Sequence, residues 1–366
     1  MLINSLLYFL ALSVVQSSPY QCPPKTIIEP CSCVLAIPSI IHQTLSNDAP
    51  SASITQQKSI VCENINDPTF DLREIFVKLT EFTEFMLDEF ENTTIFDSFL
   101  LSNTTIQHLP ADVFGNISFN TLMLMNNPML TTIDENAFRS FSPQVERFET
   151  INSNLSDSET IFRILRQFEN LRFLSMQNDQ LRSIPENAFN HKHLTNIWFG
   201  MESSTKSQPI ENIGDYAFYN VPNIYLIRLN VPKLRSIGKN AFALRSRVSF
   251  IDDFTHMIHL YLEGELLDSN SFHPTTFTRF RSRAVFLRLY NTNITYLDEN
   301  VFQPFLESHP RSAVDTDYMN QDDSCDCRSE WIQRDYYRLI DKMDNRVFGY
   351  KCWDYDFSQQ CTIIEV

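Results

Sequence analysis

The sequence predicts an α/β solenoid, a stack of small repeated coils with a parallel sheet along one side. The first observation is a fixed period: Phe90, Phe114, Phe138 and Phe162 lie 24 residues apart, and phenylalanine recurs more loosely at 189, 218, 242, 277 and 302. The second is an apolar residue five positions before each of these except Phe162, namely Phe85, Leu109, Ile133, Ile184, Ile213, Ile237, Phe272 and Leu297. A fixed period of about 20 to 50 residues is typical of solenoids.

The third observation concerns the two ends. The eight cysteines fall in two groups of four, one before residue 63 and one after residue 324, with none among the repeats. A solenoid exposes apolar surface at each end and needs caps there. We therefore expect an N-terminal cysteine cap over residues 18–62, repeats in about nine units over 63–302, and a C-terminal cysteine cap over 303–366.

The N-terminus has the pattern of a secretory signal peptide. Residues 6–15 form an apolar run that is too short to span a bilayer. Small residues at Val15 and Ser17 place the cleavage near Ser17, so residues 1–17 would be removed. The alternative is an uncleaved anchor, since the run is not preceded by Lys or Arg. No later stretch reaches 18 apolar residues, and we expect a secreted, extracellular product without membrane insertion.

Each cap has its own cysteine spacing. The N-terminal cap contains Cys22, Cys31, Cys33 and Cys62, with a long insertion over 34–61 that is polar from 46 to 59. The C-terminal cap contains Cys325, Cys327, Trp331, Cys352 and Cys361. An even number of cysteines in a secreted chain indicates disulfides, although spacing alone leaves three pairings for each group of four. Metal binding by the C-x-C pairs is the alternative.

The units share one pattern when they are aligned on their phenylalanines. LMLMNN at 122–127 leads to IDENAF at 133–138, and the same order recurs over 174–189, 227–242 and 287–302. An apolar–x–apolar segment predicts a short strand with alternate residues directed inward. The phenylalanine is expected to fill the core from the opposite, convex side.

This pattern resembles the leucine-rich repeat over about residues 63–302. The resemblance implies a horseshoe with a parallel sheet on its concave face and loops or short helices on its convex face. Asn127 matches the family's asparagine, which bonds backbone groups between coils, whereas Thr104 and Thr292 occupy that position in their units. A regular asparagine ladder is therefore in doubt.

The resemblance extends to the caps of extracellular leucine-rich repeat proteins. It implies first-to-third and second-to-fourth disulfides, hence Cys22–Cys33, Cys31–Cys62, Cys325–Cys352 and Cys327–Cys361, and Trp331 packed on the last coil. The order of the first cysteines and the short Phe-ended units are similar to one group of secreted arthropod proteins, those resembling the non-catalytic subunit of a shrimp luciferase. This implies a supporting glycoprotein without a known active site.

Three units depart from the pattern. Asp157 stands where the third unit should have an apolar residue. A polar insertion over 201–209 predicts a protruding loop in the fifth unit, and the unit over 243–277 is about ten residues longer than its neighbours. Such loops often bind partners, although relaxed selection explains them equally well.

Composition limits the function classes. Only six glycines in 366 residues argue against glycine-rich nucleotide-binding loops, and the net charge of −16 disfavours nucleic acid and anionic lipid. The charge either maintains solubility or attracts a cationic partner. Sequons for N-glycosylation lie at Asn92, Asn103, Asn116, Asn154 and Asn293.

No set of residues predicts catalysis, a metal site or a cofactor. His191 and His193 form an H-x-H pair for which a solvent-facing turn is the alternative to zinc. His256 and His259 lie in a strand pattern, which does not place both on one coordination face. The acidic residues before the C-terminal cap lack the spacing of a calcium loop and are interpreted as a solvated linker: Asp315, Asp317, Asp322, Asp323 and Asp326.

The concave face is the better candidate for a binding site. Outward residues between the inward ones are expected to form one column, consisting of Leu100, Met123, Ser175, Trp198, Arg228, Tyr261 and Arg288. Neighbouring columns add Phe173, His259, Glu263, Phe286 and Tyr290. Because Trp, Tyr and Arg carry binding energy at interfaces, we predict ligand contacts at Trp198, Arg228, Tyr261, Arg288, Phe173 and Tyr290. A register shift of one residue would instead turn them into the core.

The sequence thus predicts a secreted, glycosylated, non-catalytic protein that binds an extracellular protein or glycan on its concave face. The second hypothesis is a structural accessory subunit that stabilises a secreted partner, either an enzyme or a matrix component. A hydrolase or oxygenase is the third, and it would require His191 and His193 to act in catalysis.

Overall fold

The computed structural model describes residues 22–35, 57–87, 95–200, 207–244, 257–278, 283–316, 325–339, 346–349, 352 and 356–361. The predicted signal peptide, Phe90, Asn92, His256 and Asp317, Asp322 and Asp323 lie outside these residues. So do most of the cap insertion, residues 201–206 of the fifth unit and residues 245–256 of the long unit.

The chain begins with a short helix and a hairpin. Helix α1 (Lys25–Ile28) precedes β1 (Ser32–Val34), which pairs antiparallel with β2 (Ser59–Glu63). A 16-residue helix, α2 (Leu72–Leu87), then crosses the convex side. Its apolar side chains Ile75, Phe76 and Leu79 are buried, so it seals the first coil.

The following coils alternate a strand of the large sheet with a short convex strand or helix. In chain order they contain β3 (Ile95–Ser102), β4 (His108–Leu109), β5 (Ser118–Met125), β6 (Thr132–Ile133), a 3-10 turn (Ser142–Gln144), β7 (Arg147–Ile151), α3 (Ser158–Gln167), β8 (Phe173–Gln177), β9 (Ser183–Ile184), β10 (Asn196–Phe199), β11 (Asn212–Ile213), β12 (Leu226–Asn230), β13 (Ser236–Ile237), β14 (Ile258–Glu263) and β15 (Val285–Tyr290).

The C-terminal part closes the stack. It contains α4 (Glu299–Ser308), β16 (Ala313–Asp315), a 3-10 turn (Cys327–Ser329), α5 (Glu330–Leu339), β17 (Val347–Phe348) and α6 (Phe357–Gln360). Each of the described helices is too short or too polar to cross a membrane.

Twelve strands form one sheet in the order β1-β2-β3-β5-β7-β8-β10-β12-β14-β15-β16-β17. Every pair after β1–β2 is parallel, as the repeat pattern predicts for the concave face. The short convex strands form two smaller sheets, β13-β11-β9 and β4-β6. The α/β solenoid predicted from the period is therefore confirmed.

The core is a spine of phenylalanine side chains between the two faces. The stacked pairs Phe189–Phe218, Phe218–Phe242 and Phe242–Phe277 have ring centroids 5.1, 5.0 and 5.8 Å apart. The apolar residues five positions earlier are buried from Leu109 onward, and five of them lie on the short convex strands. Each of these coils therefore contributes one phenylalanine ring to the spine, whether its length is 24 residues or more.

The first predicted unit is wrong in its details. Phe85, expected to be an inward apolar residue, is 80% exposed near the end of α2. The reason is local: the amphipathic helix buries Phe76 and Leu79 through its own period of 3.6, which leaves Phe85 on its solvent side.

The irregular third unit has a physical explanation. Asp157 is the N-cap of α3, and its side chain accepts a hydrogen bond from the Thr160 backbone N–H at 3.1 Å. Phe162 remains in the core because the helix presents it there, with its ring centroid 5.4 Å from that of Phe189. A helix has replaced the short convex strand at this coil.

The turns after six strands of the large sheet are built on asparagine. Asn64, Asn103, Asn126, Asn152, Asn178 and Asn291 follow their strands directly and have positive φ, as does Gly200 after β10. Asparagine and glycine tolerate this left-handed conformation best. The asparagine side chains also bond along the stack, Asn152 to Asn126 at 2.6 Å and Asn178 to Asn152 at 2.9 Å. This exposed ladder lies one residue before the position that the family resemblance indicates.

The predicted buried position is occupied by different polar residues in successive coils. At Asn127 the amide oxygen accepts from the Thr104 backbone N–H and hydroxyl at 3.0 and 2.9 Å, and the amide nitrogen donates to the Leu101 carbonyl at 2.9 Å. Two coils later Asp179 takes this position, fully buried. The doubt about a regular asparagine ladder is confirmed here.

Asp179 has compensating donors. Its carboxylate accepts from the Thr150 hydroxyl at 2.6 Å and from the Gln208 amide at 3.1 Å. Gln208 is itself fully buried, although the sequence places it within the protruding insertion. The described end of that insertion therefore belongs to the core.

Both ends are closed by disulfides. The bonds are Cys22–Cys33, Cys31–Cys62, Cys325–Cys352 and Cys327–Cys361, which is the pairing that the resemblance implies. Trp331 is buried against the last coil, where its indole N–H donates to the Leu297 carbonyl at 2.8 Å. Its predicted packing is confirmed.

Candidate binding surface on the concave sheet

The concave face consists of three columns of side chains that follow the strand register. The middle column contains Val61, Leu100, Met123, Glu149, Ser175, Trp198, Arg228, Tyr261, Arg288, Asp315 and Phe348. The predicted register therefore holds for every residue in the predicted column. Glu149 is the column residue of strand β7. The prediction omitted it because Asp157 interrupts the repeat pattern in that unit.

The N-terminal half of this column is not available for binding, contrary to expectation. Met123 is 1% exposed and Ser175 is fully buried, and Leu100 packs with Val61 and Met123 in a small apolar cluster. The Ser175 hydroxyl accepts from the Gln177 side chain at 2.9 Å. Strand alternation fixes the direction of a side chain but does not determine whether neighbouring side chains cover it.

The C-terminal half presents a continuous surface of half-exposed rings. We call it the aromatic surface; its members are Phe173, Trp198, Tyr225, Arg228, His259, Tyr261, Phe286 and Phe348. Ring centroids are 5.7 Å apart for Phe173–Trp198, 5.2 Å for Tyr225–His259, and 6.2 Å for both His259–Phe286 and Phe286–Phe348. Aromatic side chains at these separations interact favourably with each other.

Arginine side chains lie between the rings. The Arg228 guanidinium is 5.7 Å from the Trp198 ring and 5.0 Å from the Tyr261 ring, which joins two parts of the surface. At one end the Arg147 guanidinium lies 3.9 Å from the Phe173 ring and pairs with Glu149. At the other end Arg288 lies 3.4 Å from Asp315. Cation–π contacts of this kind hold the rings and the guanidinium groups in place.

His259 lies at the centre of the aromatic surface. The Tyr261 hydroxyl is 3.4 Å from its Nδ1 atom, and rings of Tyr225, Tyr261 and Phe286 surround it. Burial lowers the pKa of His259, so the imidazole is neutral at pH 7. The centre of the surface therefore presents an uncharged ring.

The two edges of the sheet differ in accessibility. We call the edge where strands begin the leading edge; its side chains are half-exposed at Phe173, Asn196, Leu226, His259 and Phe286. The edge where strands end is the trailing edge, and its side chains are buried at Gln177, Asn230, Glu263 and Tyr290. The expectation that Glu263 and Tyr290 are outward and open is therefore wrong, because both are covered at this edge.

The candidate metal and catalytic residues that the structure describes are not brought together. His191 is fully buried, and its Nε2 atom bonds the Leu165 carbonyl at 2.7 Å near the end of α3, away from the solvent-facing turn that was expected. Desolvation lowers its pKa, consistent with a neutral structural role. Asp326 caps a 3-10 turn through the Arg328 backbone N–H. Among the described residues, no group of three or more His, Cys, Asp or Glu side chains could hold a metal ion.

Sequence reasoning missed two members of the aromatic surface. Tyr225 precedes the first residue of β12 and is 45% exposed, and Phe348 lies on β17 within the C-terminal cap and is 40% exposed. A tyrosine directly before a predicted strand was a visible signal. No comparable sequence signal marks Phe348, because it lies after the end of the repeat pattern.

The parallel concave sheet, the phenylalanine spine and the disulfide-closed ends form a leucine-rich repeat fold with a cap at each end. Residues 83–206 and 170–255 match the BspA type leucine rich repeat region, in six copies. The matched stretches include β8, β10 and β12, the first three strands of the aromatic surface.

The chain also resembles the non-catalytic subunit of Oplophorus-luciferin 2-monooxygenase from Oplophorus gracilirostris. The two are 22% identical over 334 residues, which cover 88% of this chain and 81% of that protein. A solved structure with a likeness is the octameric complex of Latrophilin 3 (Lec, Olf), Unc5D (Ig, Ig2, TSP1) and FLRT2 (LRR). It has 18% identity, covers 69% of this chain and 74% of that chain, and has a TM-score of 0.40.

Proposed function

We propose that the protein is a secreted, non-catalytic leucine-rich repeat protein that binds an extracellular protein or glycan on its concave face. The contacts come from Trp198, Arg228, Tyr261, Arg288 and Phe173, and Tyr290 supports Arg288, whose guanidinium lies 5.5 Å from its ring. The observation that carries this proposal is the continuous, half-exposed aromatic surface. No cofactor takes part.

The energetics support a binding role for these side chains. Half-exposed rings leave apolar area in water, and burying that area on a partner stabilises the complex by roughly 25 cal/mol per Å². The fold does not require them, since the phenylalanine spine fills the core from the convex side. Clustered Trp, Tyr and Arg side chains are the types that dominate interface energies.

An extracellular location is part of the proposal. Four disulfides and no free cysteine are described, and disulfides persist in oxidising compartments. The signal pattern at residues 1–17 supports the same location. The sequons at Asn103, Asn116, Asn154 and Asn293 all lie on exposed positions, as glycosylation requires.

An accessory subunit is the second candidate function. The similarity to a protein named as a non-catalytic subunit favours it. In this case the aromatic surface would hold a secreted catalytic partner in a stoichiometric complex. A stable 1:1 complex after gel filtration supports the accessory role, whereas transient capture supports a sensor.

Alanine substitution of Trp198 and Tyr261 tests the proposal. Immobilised wild-type chain is incubated with native extracellular fluid, and retained proteins and glycoconjugates are identified by mass spectrometry. We expect W198A/Y261A to abolish retention, because each hot-spot side chain contributes about 2 kcal/mol or more to binding. The melting temperature should remain nearly unchanged.

The matched control removes a tyrosine from the convex side. Tyr219 packs against Tyr216 at 5.7 Å, far from the concave sheet, and Y219A should leave retention unchanged. A large loss of stability in W198A/Y261A together with normal retention would show that these residues belong to the core and would overturn the proposal.

A further inference from the structure

We propose that the partner is a folded protein that reaches the aromatic surface across the leading edge of the sheet, while N-linked glycans occupy the trailing edge. This inference rests on the proposed function and specifies its partner and direction of approach. Three features of the described residues carry it: the length of the aromatic surface, the accessibility of the two edges, and the positions of the sequons.

The aromatic surface is long enough for a protein interface. It runs from Phe173 on β8 to Phe348 on β17, across seven neighbouring strands of the sheet. At about 4.8 Å between strands, this is a span of roughly 29 Å. One side of a standard protein–protein interface buries about 800 Å². The aromatic surface is a strip only two side-chain columns wide and supplies part of this area, so a protein partner also contacts the loops along the leading edge. A single sugar ring would cover only a fraction of the strip.

The leading edge is the open side of this strip. Phe173, His259 and Phe286 are half-exposed there, and Tyr225 extends the surface beyond the start of β12. On the same strands, Gln177, Asn230, Glu263 and Tyr290 are buried at the trailing edge. A partner that arrives from the leading edge therefore meets rings first, whereas the trailing edge offers it no open side chains at these four positions.

Three of the four described sequons lie on the opposite side. Asn154 and Asn293 take equivalent positions after β7 and β15, since their backbone N–H groups donate to the Leu130 and Leu267 carbonyls, both at 2.9 Å. Asn103 follows β3 at the left-handed position. All three are exposed beyond the trailing edge. Asn293 follows β15 of the aromatic surface and Asn154 follows the adjacent strand β7, whereas Asn103 follows β3 in the N-terminal half of the sheet.

The remaining described sequon, Asn116, precedes β5 on the leading-edge side, in the N-terminal half of the sheet and outside the strands of the aromatic surface. Asn116 lies beside α2, where its amide donates to Glu84 at 3.1 Å. The leading-edge loops at 170–172 and 223–225, which flank Phe173 and Tyr225, contain no sequon. Bulky, hydrated glycans at the trailing edge would exclude a partner there and leave the leading edge free.

A pair of engineered glycans at the two ends of one strand tests this arrangement. The substitution R172T creates an N-x-T sequon at Asn170, just before β8 on the leading edge, where Asn170 and Arg172 are both exposed. The substitution Q180T creates an N-x-T sequon at Asn178, just after β8 on the trailing edge. Asn178 has the same left-handed conformation as Asn103 of the natural sequon. The two glycans lie at opposite ends of the same strand. R172T also removes the exposed Arg172–Glu146 ion pair, which requires a control of its own.

The probe is the purified protein that the wild-type chain retains from native extracellular fluid. We expect the R172T glycan to weaken its binding by more than about tenfold, and the Q180T glycan to change it by less than about twofold. Intact mass verifies that each sequon is occupied. The variant N170Q/R172T has the same loss of the exposed Arg172–Glu146 ion pair but carries no glycan, and it should bind like wild type.

The outcomes separate this inference from the proposed function. Loss of binding in Q180T, or unchanged binding in glycosylated R172T, overturns the approach across the leading edge while W198A/Y261A still tests the surface itself. Retention of a glycan instead of a protein, shown by loss of binding after glycosidase treatment of the retained material, overturns the protein partner. Hydrogen exchange of the complex should protect residues 172–174 and 225–228 and leave 178–180 unprotected; the reverse pattern contradicts the inference.

Discussion

Asp179 shows how one residue changes the chemistry of a repeated position. The amide nitrogen of Asn127 donates a hydrogen bond to the Leu101 carbonyl of the preceding coil. The carboxylate of Asp179, at the equivalent position, cannot donate a hydrogen bond. The neighbouring coil supplies a donor instead: Thr150, which stands at the strand position of Leu101, donates its hydroxyl to Asp179. Burial raises the pKa of Asp179 to about 7, although the hydrogen bonds from Thr150, Gln208 and the Ser153 backbone oppose the change.

This pKa makes stability depend on pH in a defined direction. The unfolded Asp has a pKa of about 3.9, so the folded chain binds the proton more tightly. The stabilising contribution is fully present below about pH 4 and is lost as the pH rises toward 7, at up to about 1.4 kcal/mol per pH unit. We expect D179N to gain stability relative to wild type as the pH rises from 4 to 8, measured by urea unfolding.

The control for that measurement is D112N. Asp112 is exposed and pairs with Arg139 at 2.9 Å, so its substitution should give a free energy of unfolding that tracks wild type across the same pH range. A difference between D179N and wild type that does not vary with pH would contradict the raised pKa.

At the residue scale the sequence predicts which face of the sheet a side chain points to, but not whether neighbouring side chains bury it. Strand alternation alone placed Trp198, Arg228 and Tyr261 on the concave face, and the register confirms it. Met123 follows the same alternation, yet it is buried beside Leu100. Whether a concave side chain is open depends on its neighbours in space, and the period carries no information about those.

Helix α3 is the element that most changes the repeat. Its N-cap Asp157 accepts from Thr160, and Phe162 and Leu165 face the core at the spacing of a helix. Its far end is closed by His191, whose ring bonds the Leu165 carbonyl. Asp157, which interrupts the repeat pattern, therefore begins this helix, and His191, a candidate zinc ligand, closes its other end.

Substitution of Asp157 tests its role as the N-cap of α3. We expect D157A to lower the free energy of unfolding by about 1 kcal/mol at pH 7, because the Thr160 N–H loses its acceptor. D157N retains an acceptor and should lose much less. Urea unfolding at pH 7 compares the two variants.

The stability that the Asp157 N-cap provides depends on pH in the direction opposite to that of Asp179. Hydrogen bonds from Thr160 hold the pKa of Asp157 below its usual range, so the stabilisation is present above about pH 4 and is lost as the pH falls further. D157N should not show this loss. Equal stability of D157A and wild type at pH 7 would mean that the carboxylate does not cap the helix.

At the scale of elements, strands were more predictable than helices. The apolar–x–apolar segments became β5, β8, β12 and β15 because a two-residue alternation determines which face is buried. The resemblance implied loops or short helices on the convex face but not which coils contain the helices. Helices α2 and α3 could not be located from the sequence, because the phenylalanines of their coils still follow the 24-residue period. The spine residue Phe162 fits either element, so the period could not distinguish them.

The whole molecule is a stack whose two ends differ in their relation to the binding surface. The N-terminal hairpin closes one end through two disulfides, next to the buried half of the concave face. The C-terminal cap closes the other end and also contributes Phe348 to the aromatic surface. The caps were predictable from the cysteines, whereas the contribution of Phe348 required the fold.

Photo-cross-linking from single positions is the most direct test of whether a partner binds the aromatic surface on the concave face. A photoreactive phenylalanine analogue is placed at Asn196, between Phe173 and Leu226 on the leading edge, or at Val77, which is 48% exposed on the convex helix α2. Each chain is irradiated in native extracellular fluid and its adducts are measured by mass spectrometry. We predict one stoichiometric protein adduct from position 196 and none from position 77. The same adduct from position 77, with none from position 196, would contradict binding at the aromatic surface.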